Sequence, residues 1–397
     1  MSSAAAVPSP AALSRLSSGD DASRIKVVSG LAAAERVWRD AEASGGSLSP
    51  YQRYDWIAAY TASVMPSADI RVAIISDAAD RPALILPFAI ERPFGLRIAV
   101  AIGGKHANFN GGVAPPRASG SLSPAELRVA LRRIAADIGI DVFAVPHVPV
   151  TWGDEPNPLA TFGTRSPSDA YEVRLDSDPD ATANRSMSNE ARKRLRNKER
   201  GLAKLGEVAF LQAETEADVD LLLGAFFSQK EERFRELGIT DPFFDPEVRT
   251  FLRNAALAGL SDGRPAIELF GLLVGDRVAA VLGGAADENR LSGMFISFEA
   301  CKEATKYSPG DILVSRVVRE QCVRGRRFFD LGVGEARYKR TFCNDTVELV
   351  DVFLPVSRKG SLYALARRGL AGLKRRVKQN PRAMQLVAKL RRAKAAA

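Results

Sequence analysis

Two short segments hold side chains whose types and spacing suit acyl or phosphate chemistry. The first runs from Cys301 through Lys302, Lys306, Ser308, Pro309 and Gly310 to Asp311. Ser308 falls at an N-cap position and Pro309 at a first helical position, so a helix is expected to begin there. The free N–H groups of a first turn, backed by the helix dipole, make an anion site suited to a pyrophosphate. Gly310 would let a phosphate approach the backbone, and Lys302 and Lys306 would add cations. The same residues also describe a well-made helix start beside a solvated lysine pair.

The second segment is Phe329, Asp330, Leu331, Gly332, Gly334, Glu335, Arg337, Tyr338, Lys339 and Arg340. A strand ending at Leu331 delivers a Gly-x-Gly turn and then a dense ionisable group, at the sheet edge where open α/β folds bind ligands. Polar side chains leaving one strand end toward one cleft are what acid–base work requires. A tight turn with a surface ion-pair cluster would read the same way. A third group, His106, Asn108, Asn110, Gly111 and Gly112, suits acceptor recognition, with His106 titrating near neutrality. It equally suits a turn in which Asn and Gly satisfy local backbone. His147, between Pro146 and Pro149, reads as structural.

The elements that must position these groups repeat. Residues 25–28 read as a strand, 31–43 and 51–64 as helices, and 71–76, 83–91 and 96–102 as a meander of strands. A helix over 124–138 and a strand over 141–145 follow. The second half gives a strand at 171–175, helices at 188–205, 216–237 and 246–260, and strands at 267–274, 277–286 and 290–298. A helix at 309–324 and strands at 327–331 and 347–354 complete it. One order occurring twice points to an internal duplication, and mixed sheets with helices on their faces make the fold class α/β. The expected division is a disordered leader over 1–23, domains over 24–165 and 166–357, and a basic helical tail over 358–397.

A chain of 397 residues, 46% hydrophobic and 26% charged, has the balance of a two-domain globular protein. Three cysteines without a C-x-x-C pair, and two histidines, suit a reducing, cytoplasmic compartment and no metal site. Residues 1–23 lack the apolar core of a secretory signal, and no apolar run has bilayer length. The net charge of +9 is a property of one end: residues 361–397 hold 11 Lys or Arg and no acid, leaving about −2 on the rest.

The basic helix around Arg192, Lys193, Arg194 and Arg196, the helix start at Tyr307 to Gly310, and the segment from Phe329 to Lys339 resemble, in this order, the BioF2-like or CelD-like acetyltransferase family, a branch of the GNAT superfamily. The resemblance covers roughly residues 171–355. The His106 to Gly112 segment is similar to the N-terminal half of CelD-like relatives. The resemblance implies tandem GNAT-like modules, distantly related to the Fem aminoacyltransferases, and transfer of an acyl group from acyl-CoA to a small-molecule or glycan amine in polysaccharide or envelope metabolism. In place of the usual Arg or Gln with spaced glycines, Lys302, Lys306, Ser308 and Gly310 stand at the pyrophosphate arm.

With acyl-CoA as donor, the reaction needs a base for the amine, an oxyanion donor and an acid for the thiolate. Glu335 is then the expected base and Tyr338 the acid or oxyanion partner. Lys339 would bind CoA phosphate or hold Glu335 ionised, and Asp330 would brace the turn or, with Gly334, meet substrate. A covalent route through Cys343 has no neighbour that would lower its pKa. The helix from Arg192 to Lys204 is either a solvated face or a grip on an anionic acceptor such as tRNA, without aromatic stacking residues. It keeps open a Fem-like aminoacyltransferase using charged tRNA. A degenerate scaffold of a polysaccharide synthase is the non-enzymatic alternative. In the tail, Leu362, Leu365, Leu370, Leu373 and Val377 share a helical face amid Arg and Lys, as in a helix lying on an anionic membrane. Packing on the body, or disorder, would use the same residues.

Overall fold

The structure, a computed structural model, describes residues 24–77, 79–116, 122–153, 155–238, 241–336 and 338–380. The leader expected at 1–23, Arg337, and the tail beyond Asn380 lie outside these described residues. The first half comprises β1 (Ile25–Ser29), α1 (Glu35–Ala43), α2 (Tyr54–Val64), β2 (Asp69–Ser76), β3 (Pro82–Glu91), β4 (Ile98–Val100), α3 (Pro124–Ile138) and β5 (Val142–Pro149). A pair of two-residue strands, β6 (Thr151–Trp152) and β7 (Glu155–Pro156), and then β8 (Gly163–Arg165) follow.

The second half comprises β9 (Ala170–Arg174), α4 (Pro179–Ser186), α5 (Asn189–Leu202), β10 (Val208–Gln212), α6 (Glu216–Leu237), α7 (Pro246–Leu257), β11 (Ile267–Val274), β12 (Arg277–Ala286) and β13 (Arg290–Phe298). It continues with α8 (Lys302–Thr305), α9 (Pro309–Val323), β14 (Phe328–Val333), α10 (Lys339–Phe342), β15 (Asp345–Val347), β16 (Leu349–Pro355) and α11 (Arg358–Gln379). Among the described residues no helix is long and apolar enough to cross a membrane.

Two seven-stranded mixed sheets share one plan, β1-β2-β3-β4-β5-β16-β8 and β10-β11-β12-β13-β14-β9-β15. In each, four strands run antiparallel in chain order, and a fifth joins the fourth in parallel. The expected duplication is therefore written into the strand pairing. The chain crosses between the sheets in a way the expected boundary at 357 misses. The single strand expected over 347–354 breaks at Glu348: β15 pairs with β9 in the second sheet, whereas β16 pairs with β5 and β8 in the first. The Glu348 carbonyl accepts from Val150 N–H, and its carboxylate pairs with Arg165, fixing the crossing point.

β10 and α4 are among the elements that escaped the sequence reading. β10 is an edge strand with no fully buried residue, so its apolar alternation is weak. α4 is eight residues long and buries only Thr182, leaving almost no periodicity to detect. Aromatic packing joins the modules. Trp56, fully buried on α2, meets Phe251 of α7 edge-on at 5.1 Å, and Tyr60 meets the same ring at 5.0 Å.

Candidate functional site at the opening between β13 and β14

β13 and β14 pair only over Arg290–Ser292 with Phe328–Asp330 and then part. β13 continues to Phe298 on β12 alone, while β14 turns toward β9. A register shift sets Gly284 opposite Gly293 but Gly283 opposite Phe295, so Met294 is an extra residue on β13. Gly283 is required there, because a Cβ would lie 2.1 Å from the Phe295 ring. The result is a V-shaped opening, widening toward the sheet edge that carries the start of α9 and the bend after β14.

The first sheet parts in the same place, after Val100 and Ala144, but its own chain closes it. Asn110 donates from its backbone to His147 O (3.1 Å) and from its side chain to Pro146 O (2.9 Å) on β5. Val113 exchanges backbone hydrogen bonds with Ile85 on β3, both 2.8 Å. The opening in the first sheet is thus closed by its own segment over 110–113, and no such segment of the second module fills the opening in the second among the described residues.

At the root of this opening sits a buried polar network. Asp330 Oδ1 accepts from Ser292 Oγ (2.7 Å) and from Gly332 N–H (3.0 Å), and Oδ2 accepts from Arg290 (3.1 Å). Arg290 also pairs with Glu172 at 2.8 Å. The Tyr51 hydroxyl lies 2.9 Å from Ser292 Oγ and accepts from Asn108 Nδ2 at 2.6 Å. Lys339 donates to the carbonyls of Gly332 (3.2 Å) and Val333 (3.0 Å).

Burial dominates the titration of this group. It pushes the Asp330 carboxyl up to about 6 against the pull of Arg290. Burial also opposes the Arg290 charge, but Asp330 and Glu172 outweigh it and hold that guanidinium above its usual range. Burial lowers the Lys339 ammonium, with Asp330 pulling it back, and raises the Tyr338 phenol. Burial likewise raises the Cys343 thiol, which removes the thiolate that a covalent route would need.

The mouth of α9 differs from the expected cup. Ser308 sits in the left-handed region (φ 51°) where the chain bends sharply between α8 and α9, and its side chain makes no cap. The Asp311 and Ile312 N–H groups close on the Ser308 carbonyl instead. Lys198 of α5 reaches the mouth, donating to Ser308 Oγ (2.8 Å) and to Asp311 Oδ2 (3.0 Å). α5 can approach because it presents Gly201, where a Cβ would strike the Tyr307 ring at 2.3 Å. Pro309 and Gly310 are buried; Lys302 and Lys306 are exposed, the latter 4.8 Å above the Tyr307 ring. Lys198, Lys302 and Lys306 stand there against Asp311 and Glu303, a small surplus of positive charge that suits a phosphate-bearing ligand.

The expected site residues divide accordingly. Tyr338 and Lys339 lie at the bend beside the opening, half-buried and buried, while Glu335 is exposed and paired with Arg340 at 2.9 Å. Gly334 takes φ 92° and donates to Asp169 O at 3.0 Å, so it shapes the bend. Asp330 is fully buried, and its oxygens accept from Ser292, Gly332 and Arg290. Asn110 is likewise buried and bonds inward, and His106 is held between Tyr60 and Phe251, where burial lowers its pKa to about 4. Neither is placed to meet a substrate at the second opening. Asn108 reaches that opening, but as part of its wall.

Sequence reasoning missed Tyr51, Ser292 and Arg290, and read Lys198 only as one cation of the basic helix from Arg192 to Lys204. Gly293, inside an otherwise regular strand pattern, was the available signal for the bulge. Two cavities, of about 520 and 540 Å³, lie away from the opening. In one, between the modules, Arg53 donates to three backbone carbonyls, and Arg324 and Arg326 are engaged by Glu268. The other surrounds Gly112 and Trp152 in the first module.

Residues 189–340 match the Acetyltransferase (GNAT) domain. Comparison with the curated proteins gives no match. Among solved structures, FemX is similar with a TM-score of 0.58 at 9% identity, over 83% of this chain and 98% of that one. A conserved protein of unknown function from Bacteroides thetaiotaomicron gives a TM-score of 0.51 at 10% identity, over 80% and 97%. At these identities the likeness is one of fold, and the fold is that of tandem GNAT-like modules.

Proposed function

We propose that the second module is an acyltransferase that takes an acyl group from acyl-CoA and passes it to an amine on a small molecule or glycan. The observation that carries this reading is the opening between β13 and β14, with a bulged strand on one side and the lysine-bearing mouth of α9 at the same edge. The thioester would lie along the freed backbone of β13 beside Met294, with the CoA phosphates against Lys198, Lys306 and the start of α9. An open place in polysaccharide or envelope metabolism, as in BioF2-like or CelD-like proteins, belongs to the same proposal.

In this reading the amine nitrogen attacks the thioester carbonyl, the C–N bond forms, and the C–S bond breaks to release CoA thiolate. Tyr338, whose phenol stays protonated because burial raises its pKa, donates to that thiolate and takes back the proton that the attacking nitrogen loses as the amide forms. The Lys339 ammonium, fixed on two carbonyls, supplies positive potential where the oxyanion develops. Glu335, at the exposed rim, receives the ammonium form of the acceptor and takes its proton through water once Arg340 releases it.

Thermal-shift measurements with a series of acyl-CoAs test donor binding, since a ligand of the native state raises apparent stability. Release of thiol in the presence of amino-sugars tests transfer. Absence of both across acyl lengths overturns the proposal. The exposed Lys193, Arg194, Arg196 and Arg200 on α5 favour a second reading, aminoacyl transfer from tRNA. Salt-sensitive tRNA binding without CoA binding would select it.

A further inference from the structure

The last described helix, α11, turns the usual surface pattern inside out. Its contact with the first sheet is made by its smallest residues. Gly360 lies so close to β5 that a Cβ would meet Asp141 O at 1.9 Å, and Ala364 is buried against Phe353 and Val142. Ser357 caps the helix by accepting from Gly360 N–H at 3.0 Å, and Arg368 donates to Phe353 O at 2.8 Å. The helix is therefore anchored, and its orientation is fixed.

With about 100° per residue, Leu362, Ala366, Gly369, Leu373 and Val377 form a stripe on the side opposite Gly360 and Ala364, with Leu365 and Leu370 at its margins. Leu362 is 73% exposed, Leu365 69%, Leu373 59% and Leu370 43%. An isolated exposed leucine needs no explanation, but four on one face of an anchored helix do. The helix sequence holds eight cations and no acid, and of these Arg358, Lys359, Lys374 and Arg376 flank the leucines, while Arg368 is held on Phe353 O.

We propose that this face of α11 seats on an anionic lipid bilayer, its leucines entering the headgroup boundary and its flanking cations meeting lipid phosphates. Charge selects this occupant. A second copy of the chain would set eight cations against eight. Residues 381–397 of the same chain carry five more cations and no acid. A nucleic acid would neutralise the cations but leave the leucines in water. An anionic bilayer satisfies both. The chain then lies on the membrane without crossing it, with the face of the first sheet that α11 covers turned toward the lipid surface.

The test is co-sedimentation of the full chain with phosphatidylcholine vesicles, with and without phosphatidylglycerol, at low and high salt. Binding is expected only with phosphatidylglycerol and is expected to weaken as salt rises. A Leu362→Ser, Leu365→Ser, Leu373→Ser variant should bind at least about tenfold more weakly, because apolar transfer is lost, while melting as the wild type does. In a Leu365→Trp variant, emission should shift to the blue when phosphatidylglycerol vesicles are added. Because the buried Trp38 and Trp56 already emit to the blue, the wild-type spectrum is subtracted, and a difference emission already blue without vesicles would place the face under another part of the chain and overturn the proposal. Self-association abolished by the serine variant would assign the face to a second copy. Lack of binding to phosphatidylglycerol vesicles, or equal binding by the serine variant, would also overturn it.

Discussion

The side-chain amide of Asn108, carried by the first module, donates to the carbonyl of Gly293 on the bulged strand of the second at 3.0 Å. The same nitrogen donates to Tyr51 Oη, so the first module braces the strand that forms one wall of the opening. Asn108→Ala removes both hydrogen bonds and leaves a carbonyl without its donor. A loss of about 1–3 kcal/mol is expected. The measurement is the shift in urea midpoint, with acyl-CoA turnover measured alongside.

Gly332 faces Asn108 from the other wall. A Cβ there would lie 2.5 Å from Asn108 Nδ2, and φ is 73°, a conformation that favours glycine. Gly332→Ala should therefore cost about 1–3 kcal/mol through crowding and backbone strain. Because the crowding has a single named partner, the Asn108→Ala, Gly332→Ala double variant should lose less than the sum of the two. A double-mutant cycle reads this directly; strict additivity would show that the two walls do not meet through Asn108.

At the α9 mouth, Asp311 places a carboxylate where donor phosphates are proposed to bind, and Lys198 neutralises it. Lys198→Met should raise the KM for acyl-CoA several-fold with little change in stability, since the pair is partly exposed. Asp311→Asn should act in the opposite sense and tighten CoA binding. Calorimetric titration with CoA checks both signs. Weaker binding by Asp311→Asn would place the phosphates elsewhere.

Tyr338→Phe keeps the ring and removes only the hydroxyl. A fall in kcat of roughly 10²-fold or more, with KM little changed, is expected if the phenol is the general acid. Stopped-time thiol release under saturating acyl-CoA measures it. Lys339→Met should fall as far in kcat and also lose stability, because the carbonyls of Gly332 and Val333 lose their charged donor.

Much of this site was legible in local patterns. α6 is periodic from Val219 to Gln229, where it buries one face, and β11 and β12 stand out as near-continuous apolar runs because both of their faces are buried. Gly332, Gly334, Tyr338 and Lys339 stood out by their density after a strand. What stayed hidden depends on contacts far apart in the chain. Tyr51 meets Ser292 across 241 residues, and Lys198 meets Ser308 across 110. Neither Tyr51 in a helical turn nor Ser292 in a strand looks unusual among its neighbours. The crossing of β16 into the first sheet was hidden for a related reason. Val347 and β16 read as one strand, and only their different partners, β9 against β5 and β8, separate them.

His106 and Asp330 should pull the pH dependence of stability in opposite directions over one window. Burial lowers His106 from 6.5 to about 4, so the folded state resists its protonation while the unfolded state accepts a proton. Its contribution is full above pH 6.5 and is lost as pH falls toward 4, by about 3 kcal/mol at most. Asp330 is raised from 3.8 to about 6, so its ionised form is a burden above pH 6 that protonation relieves on the way down to 3.8. That relief is also about 3 kcal/mol, and the two terms nearly cancel in the wild type between about pH 6 and 4. Chemical denaturation across this range separates them. Relative to the wild type, His106→Asn should gain stability as the solution is acidified, and Asp330→Asn should lose it. Parallel curves for the wild type and His106→Asn would show that His106 is protonated in the fold, with the Tyr60 and Phe251 contacts open to water.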